Sequence, residues 1–313
     1  NLPADLKAVV MAAIRNGPRS TRLYYRRGSA IAPERSFLNR RFFSCLNAVI
    51  ANSGETAALI RQSGLLPAER VAVIYNGLDA EAFDAALEQA QVRPLHERNE
   101  PFSERNPLVI GSAGRLSRQK AQHYLLHLSA ELKRRHFPHR LILAGDGELR
   151  GELLELARKL ELDFVWQGQG QGQEQGGSGR VIFTGFLEDM SAFWRGIDLF
   201  VLTSIWEGFG YVLAEAMLAS KPLLAFDCSN MPELVRDGEN GLLLPPPWPL
   251  SGPDFAGAPE SDGEVGARLA DKVEELALDP ARLCFMGEAG RAFCLRYFDQ
   301  GAAMRKLERL LFF

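Results

Sequence analysis

The chain has 313 residues, 46% of them hydrophobic, with 36 Lys plus Arg against 39 Asp plus Glu. At roughly 100–200 residues per domain that length predicts two domains, or one and a fragment, and a net charge of −3 argues against a protein that holds nucleic acid mainly by charge. The apolar content suffices for a core and no run reaches the roughly 18 apolar residues of a membrane-spanning helix, while Cys45, Cys228, Cys284 and Cys294 lack the paired spacing of a disulfide framework or zinc site and suit reduced thiols in a cytoplasmic protein.

Residue 1 is Asn and no leader pattern follows, so the sequence reads as a processed product or a fragment. A helix is predicted over 5–16, a strand at 22–27, a helix over 36–46, a buried strand at 48–51, a helix over 55–63 and a strand at 71–75. Continuous apolar strands alternating with helices predict parallel βα units. Residues 80–106 are polar and aperiodic and read as a linker. The alternation then restarts, with strands at 108–112, 140–144, 181–184, 197–203, 223–226 and 241–244. Helices are predicted at 121–136, 148–160, 188–196, 210–219 and 230–236, and three more close the chain from 264. This second stretch has the strand count of a doubly wound sheet, and the first about half of it. The runs 167–179 (rich in Gly and Gln) and 245–263 (rich in Pro and Gly) read as surface loops.

Two constellations carry chemistry. Strand 197–203 leads into Glu207-Gly208-Phe209-Gly210 and then into an apolar helix whose only charge is Glu215. Ligands of open α/β sheets bind at the carboxyl ends of strands. A carboxylate in an apolar helix is costly unless it finds donors, and sugar hydroxyls are suitable ones. Each Glu alone reads as structural; both, with the Gly pair between, favour function. The second constellation, Gly111-Ser-Ala-Gly114-Arg115-Leu-Ser-Arg-Gln-Lys120, follows the first strand of the second half. Its glycines admit a ligand to the backbone, and Arg115 and Lys120 suit phosphate oxygens. It lacks the Gly-Lys-Ser/Thr of a Walker loop. Gly145-Asp146-Gly147 reads as a tight turn. His123 and His127 stand at i, i+4 with no third ligand evident, which reads as a polar helix face.

These stretches resemble the retaining glycosyltransferases of the GT-B fold, family 4 or group 1. The resemblance rests on two glutamates seven residues apart, on GSAGRLSRQK, LILAGDGELR, VIFTGF, KPLLAFD and PELVRDGENGLLL, and on ANSGET and VIYNGLD in the first half. It implies two Rossmann-like domains, the first incomplete: a partial acceptor-side domain over 1–79, a linker over 80–106, a nucleotide-sugar domain over 107–297 and a closing helix over 298–313. It implies that Arg115 and Lys120, on the Gly114 loop, hold the donor diphosphate and that Glu207, with Gly208 and the amides of Phe209 and Gly210, binds donor sugar and phosphate. Glu215 would bind the ribose. The implied reaction is metal-independent transfer from a nucleotide sugar to an acceptor hydroxyl, with Glu207, Arg115 and Lys120 as its catalytic groups, no cofactor and no nucleic-acid partner. A lipid-linked or polysaccharide acceptor would suit it. The chain departs from the family in two ways. Ala121 stands where Gly usually follows the loop Lys, which predicts a shifted helix start, and nothing before Arg22 matches the family's opening strands. A binding-only fragment with little turnover is the alternative. A dehydrogenase is disfavoured because no strand–GxGxxG–helix exists.

Residues 1–45 hold nine basic and two acidic residues, leaving −10 for the rest of the chain. That asymmetry is expected either of ordinary surface around a missing half-domain or of a face turned to an anionic membrane. Phe37, Leu38, Phe42 and Phe43, beside Arg40 and Arg41, would insert shallowly or belong to the core.

Overall fold

The structure, a computed structural model, describes residues 22–28, 31–89, 102–168, 180–248 and 260–312. The helix expected over 5–16 and most of both loops expected at 167–179 and 245–263 lie outside these residues. Two compact units form. The smaller comprises the chain up to Gly77, the short stretch Glu207–Gly210 and the chain from Phe298 onward; the larger comprises Leu78–Trp206 and Tyr211–Tyr297.

In the smaller unit, β1 (Tyr24–Arg27), β2 (Ala48–Ala51) and β3 (Val71–Val73) form a parallel sheet in that order. Two short helices follow β1 and β2, and each opens on a serine. Ser36 Oγ accepts from the Asn39 amide at 3.2 Å ahead of α1 (Phe37–Ser44), and Ser53 Oγ from the Thr56 amide at 3.1 Å ahead of α2 (Gly54–Ser63). Phe42 and Phe43 of α1 are buried with Val49, Ile60 and Leu46, their rings edge-on to each other and to Tyr25. Two of the four apolar candidates for membrane insertion are therefore core residues, whereas Phe37 and Leu38 remain exposed.

The larger unit holds seven parallel strands: β4 (Leu108–Ala113), β5 (His139–Ala144), β6 (Phe164–Trp166), β7 (Val181–Gly185), β8 (Leu199–Leu202), β9 (Leu223–Phe226) and β10 (Gly241–Leu244). Their order across the sheet is β10-β9-β8-β4-β5-β7-β6. From β4 the chain winds first toward β5, β7 and β6, then returns to the other side of β4 for β8, β9 and β10. The switch point lies between β4 and β8. Strands β8 and β9 are buried along their whole length, as expected of apolar runs covered on both faces.

Helices follow the expected order, with two departures. Residues 80–89, expected to begin an aperiodic linker, form α3 (Ala80–Gln89). Asp79 Oδ1 accepts from the Ala82 amide at 3.0 Å, and AEAFDAALEQ is rich in strong helix formers. None of its residues is fully buried, so the apolar period is weak, but Arg291 bridges to Asp84 at 2.6 Å and Arg195 donates to the Leu87 carbonyl at 3.0 Å. Second, α4 spans His123–Arg134 instead of beginning at Ala121. Ala121 takes φ +49, a left-handed conformation, so the chain turns once more before the helix starts. The remaining helices are α5 (Arg150–Lys159), α6 (Ser191–Gly196), α7 (Tyr211–Leu218), α8 (Met231–Leu234), α9 (Asp262–Ala277), α10 (Pro280–Tyr297) and, in the smaller unit, α11 (Gln300–Phe312). His123 and His127 of α4 both face Asp262 of α9, at 3.8 and 3.9 Å. Burial lowers both histidine pKa values against the raising effect of that carboxylate.

Candidate functional site

The switch point of the larger unit is the crevice in which an open α/β sheet takes its ligand. The loop after β4 occupies it. Gly114 has φ +146, and a Cβ there would lie 2.9 Å from Lys120 Cε. Only glycine meets both conditions, so the side chain of Lys120 runs across the glycine that opens the loop. Arg115 follows, 73% exposed, with Nε 3.0 Å from Glu148 Oε2.

Two neighbours shape this loop. The turn Gly145-Asp146-Gly147 after β5 is bonded to it: the Leu116 amide donates to the Asp146 carbonyl and the Leu149 amide to the Leu116 carbonyl, both at 3.1 Å. That turn is thus more than a strand-to-helix corner; it carries Glu148 to Arg115. On the other side, the stretch after β8 is tied to the loop by four contacts. Thr203 Oγ1 lies 3.1 Å from both the Lys120 and Ala121 carbonyls, Gln119 Nε2 donates to the Trp206 carbonyl at 2.8 Å, and the Ile205 amide donates to the Gln119 carbonyl at 2.8 Å. Gln122 Nε2 closes the loop on the Arg115 carbonyl at 2.8 Å. Thr203, Gln119, Gln122 and Glu148 escaped the sequence reading, because their importance lies in pairings across 7 to 87 positions of chain.

Glu215 lies in α7, a helix whose other central residues, Leu213, Ala214, Ala216 and Met217, are buried. Its half-buried carboxylate makes no hydrogen bond or ion pair with a described residue, and burial alone raises its pKa. A carboxylate so held has its acceptor capacity available to a ligand with hydroxyl donors.

The other sequence-identified residues, Glu207, Gly208, Phe209 and Gly210, follow directly after Trp206 but pack with the smaller unit. Glu207 and Phe209 are buried. A Cβ on Gly208 would lie 2.0 Å from the Gly28 carbonyl oxygen, just past β1, so this position admits no side chain. Phe209 stacks obliquely on Tyr75 at 6.3 Å between ring centres and meets Phe298 edge-on at 5.2 Å. The structure thus brings Gly114, Arg115 and Lys120 together in one loop and Glu207 through Gly210 together in one turn, each held by different neighbours.

At the switch point one loop carries two cations, and α7 carries a half-buried carboxylate that has no partner among the described residues; phosphate and hydroxyl groups have the chemistry to match them. Residues 107–251 match the family model described as glycosyl transferases group 1, and residues 11–82 that described as glycosyltransferase family 4. Residues 107–251 thus belong with the group 1 glycosyltransferases, and the chain has the GT-B fold. It is similar to the alpha-D-kanosaminyltransferase of Streptomyces kanamyceticus, 31% identical over 238 residues, 74% of this chain and 55% of that protein. The D-inositol 3-phosphate glycosyltransferase of Corynebacterium urealyticum is 26% identical over 306 residues, 95% of this chain and 63% of that protein. Among solved structures, HepE of Anabaena in complex with UDP and glucose superposes with a TM-score of 0.71 at 26% identity, covering 98% of this chain and 75% of HepE. The chain spans about half the length of the curated relatives it matches.

Proposed function

We propose that the protein transfers a sugar, with retention and without a metal ion, from a nucleoside-diphosphate donor to an acceptor hydroxyl in the synthesis of a surface polysaccharide or glycolipid. The observation that carries this reading is the loop 114–120, braced at the switch point by Thr203 and Gln119. Departure of the sugar leaves a nucleoside diphosphate with growing negative charge, and fixed cations stabilise such charge without reorganising. Arg115 and Lys120 supply those cations, Glu215 accepts from the ribose hydroxyls, and Glu207 with the amides of Phe209 and Gly210 holds the sugar. Arg115 can leave Glu148 for a phosphate at little cost, since ion pairs this exposed contribute about 1 kcal/mol or less. The HepE complexes with UDP and with UDP-glucose favour UDP as the nucleotide.

The test is calorimetric titration with UDP and UDP-glucose, followed by product analysis with a panel of lipid-linked and soluble acceptors. Glu215→Ala should weaken both ligands, whereas Glu207→Ala should weaken mainly UDP-glucose. The reverse pattern would refute the two assignments, and binding without transfer to any acceptor would favour the binding-only reading.

The acceptor side of this proposal includes a peripheral contact with an anionic membrane at the cytoplasmic face. Phe37 and Leu38 are 81% and 72% exposed on α1, alongside the exposed Arg35, Arg40 and Arg41. Basic residues near an anionic surface contribute about 1 kcal/mol each. Among the described residues no helix is long and apolar enough to cross a membrane. Co-sedimentation with anionic vesicles that fades with salt, and fades further in Phe37→Ser, is the expected outcome; absence of binding at low salt would remove the membrane from the proposal.

A further inference from the structure

The Glu207–Gly210 turn is short and carries two glycines, so its own sequence does little to fix its shape. Three distant stretches of chain within the smaller unit pack against it. The Gly28 carbonyl abuts Gly208. Tyr75, just past β3, and Phe298, just before α11, meet each other edge-on at 5.3 Å and both contact Phe209. Phe209 and Phe298 are buried. Edge-to-face pairs prefer particular angles, so three rings in mutual contact specify an orientation that aliphatic packing would leave loose.

Phe298 is itself held in position. A Cβ on Gly77, two residues after Tyr75, would lie 2.4 Å from Gln300 Cα, so the backbones flanking the two aromatic residues are in contact. At its far end α11 accepts hydrogen bonds from β1 and the residues just before it: Arg22 Nη1 donates to the Leu311 carbonyl at 3.3 Å and Tyr24 Oη to the Leu310 carbonyl at 3.2 Å. The C-terminal helix is therefore tied at both ends within the smaller unit, and the aromatic residue just before it meets Phe209 of the turn.

We propose that Tyr75 and Phe298 are positioning residues for the Glu207–Gly210 turn. They hold the Phe209 ring, and through it set where the Phe209 and Gly210 amides and the Glu207 carboxylate stand. In that capacity they determine discrimination between a nucleotide sugar and the bare nucleotide. The proposal rests on the reading that this turn holds the donor sugar, and it adds a C-terminal segment to the groups on which sugar binding depends. Neither residue touches the sugar in this account; both act through Phe209.

Titration of Phe298→Ala with UDP and UDP-glucose tests it. UDP affinity should stay within about twofold of the parent while UDP-glucose affinity falls about tenfold or more. Tyr75→Phe and Phe298→Tyr, which keep the rings, should restore the parent ratio. Equal loss for both ligands, or an unchanged ratio in a folded variant, would overturn the proposal. Hydrogen exchange supplies a measurement that needs no ligand. Amides at 208–211 should exchange at least about fivefold faster in Phe298→Leu, while those of the 114–120 loop stay unchanged. Unchanged exchange at 208–211 would overturn positioning even if the parent binds neither ligand, an outcome that on its own would sink only the functional reading.

Discussion

The larger and smaller units hold their glycine-containing turns in different ways. Loop 114–120 is fixed by hydrogen bonds to the stretches that follow neighbouring strands of one sheet: Thr203, Ile205 and Trp206 after β8 on one side, the turn after β5 on the other. The 207–210 turn is fixed by close backbone approach and aromatic packing from the three-stranded unit. Hydrogen bonds specify main-chain position atom by atom; ring packing specifies a shape that a substituted ring can still fill. The first arrangement suits a site for a fixed charge such as a diphosphate, the second a site that must match the outline of a sugar.

The largest expected contrast between the units is their response to acid. All histidines of the chain lie beyond residue 77, and His139 on β5 is the most perturbed of those described, its pKa lowered to about 4 by burial. Ser129 Oγ and the Phe137 carbonyl contact its two ring nitrogens at 2.8 and 2.9 Å, which suits a neutral ring that donates from Nδ1 and accepts at Nε2. The folded pKa lies below the unfolded value of 6.5, so the unfolded chain binds more protons between these values. The contribution is fully present above pH 6.5 and is lost as pH falls toward 4, by about 3 kcal/mol. Hydrogen exchange across that range should show the sheet of the larger unit loosening before β1–β3. His139→Gln should flatten the dependence, and loosening of the smaller unit first would contradict this account.

The fold was largely legible in the residues. β2, β9 and β10 fall at the expected positions because short apolar runs bounded by turn residues leave little choice, and the 114–120 loop follows β4 with Gly114 at positive φ, as a strand running into a glycine-containing loop suggests. What was not legible lies in pairings. α3 was hidden because its stabilising contacts come from Arg195 and Arg291, more than a hundred residues away. The three-residue β6 is too short to carry a periodic signal. The neighbours of Phe209 were out of reach because nothing local links Tyr75, Phe209 and Phe298. The family resemblance joins Glu207 and Arg115 in one set of groups, but they belong to separate units.

Next in magnitude is the charge in the hydrogen-bonded loop. If Arg115 holds the diphosphate as proposed, Arg115→Ala should weaken UDP binding by about 1.5–3 kcal/mol, read by calorimetry, without altering exchange at 208–211. Equal affinity in both proteins would take Arg115 out of the site. Glu148→Gln is the companion: it weakens the hold on Arg115 and removes a negative charge beside it, so on the same proposal affinity should rise slightly. A fall would mean that Glu148 orients Arg115 for the ligand.

A smaller effect isolates the brace. Thr203→Val keeps the side-chain shape but leaves the Lys120 and Ala121 carbonyls without the hydroxyl that lies 3.1 Å from each. The net cost of such contacts is about 1 kcal/mol. Thermal unfolding should register that loss, with amide exchange rising across 117–122 and UDP affinity falling several-fold. If exchange rose instead at 207–210, the two turns would not be held independently.

The smallest effect concerns Ala121, whose left-handed φ of +49 is unfavourable for a residue with a Cβ. Replacement by Gly relieves about 1–2 kcal/mol of backbone strain. Against that stand two losses. The Ala121 methyl is fully buried, and one buried carbon contributes about 0.8 kcal/mol. Glycine also widens the unfolded ensemble, at a cost of about 0.4–1 kcal/mol. The terms nearly cancel, so Ala121→Gly should change stability by less than about 0.5 kcal/mol, close to the resolution of thermal unfolding. UDP affinity should not move either, because Thr203 holds the main-chain carbonyls of residues 120 and 121, and Gln119 bonds the Trp206 carbonyl, whichever residue stands at 121. A change in affinity of more than about threefold with stability unaltered would show that the backbone at 121, and not the brace from β8, sets the position of Lys120.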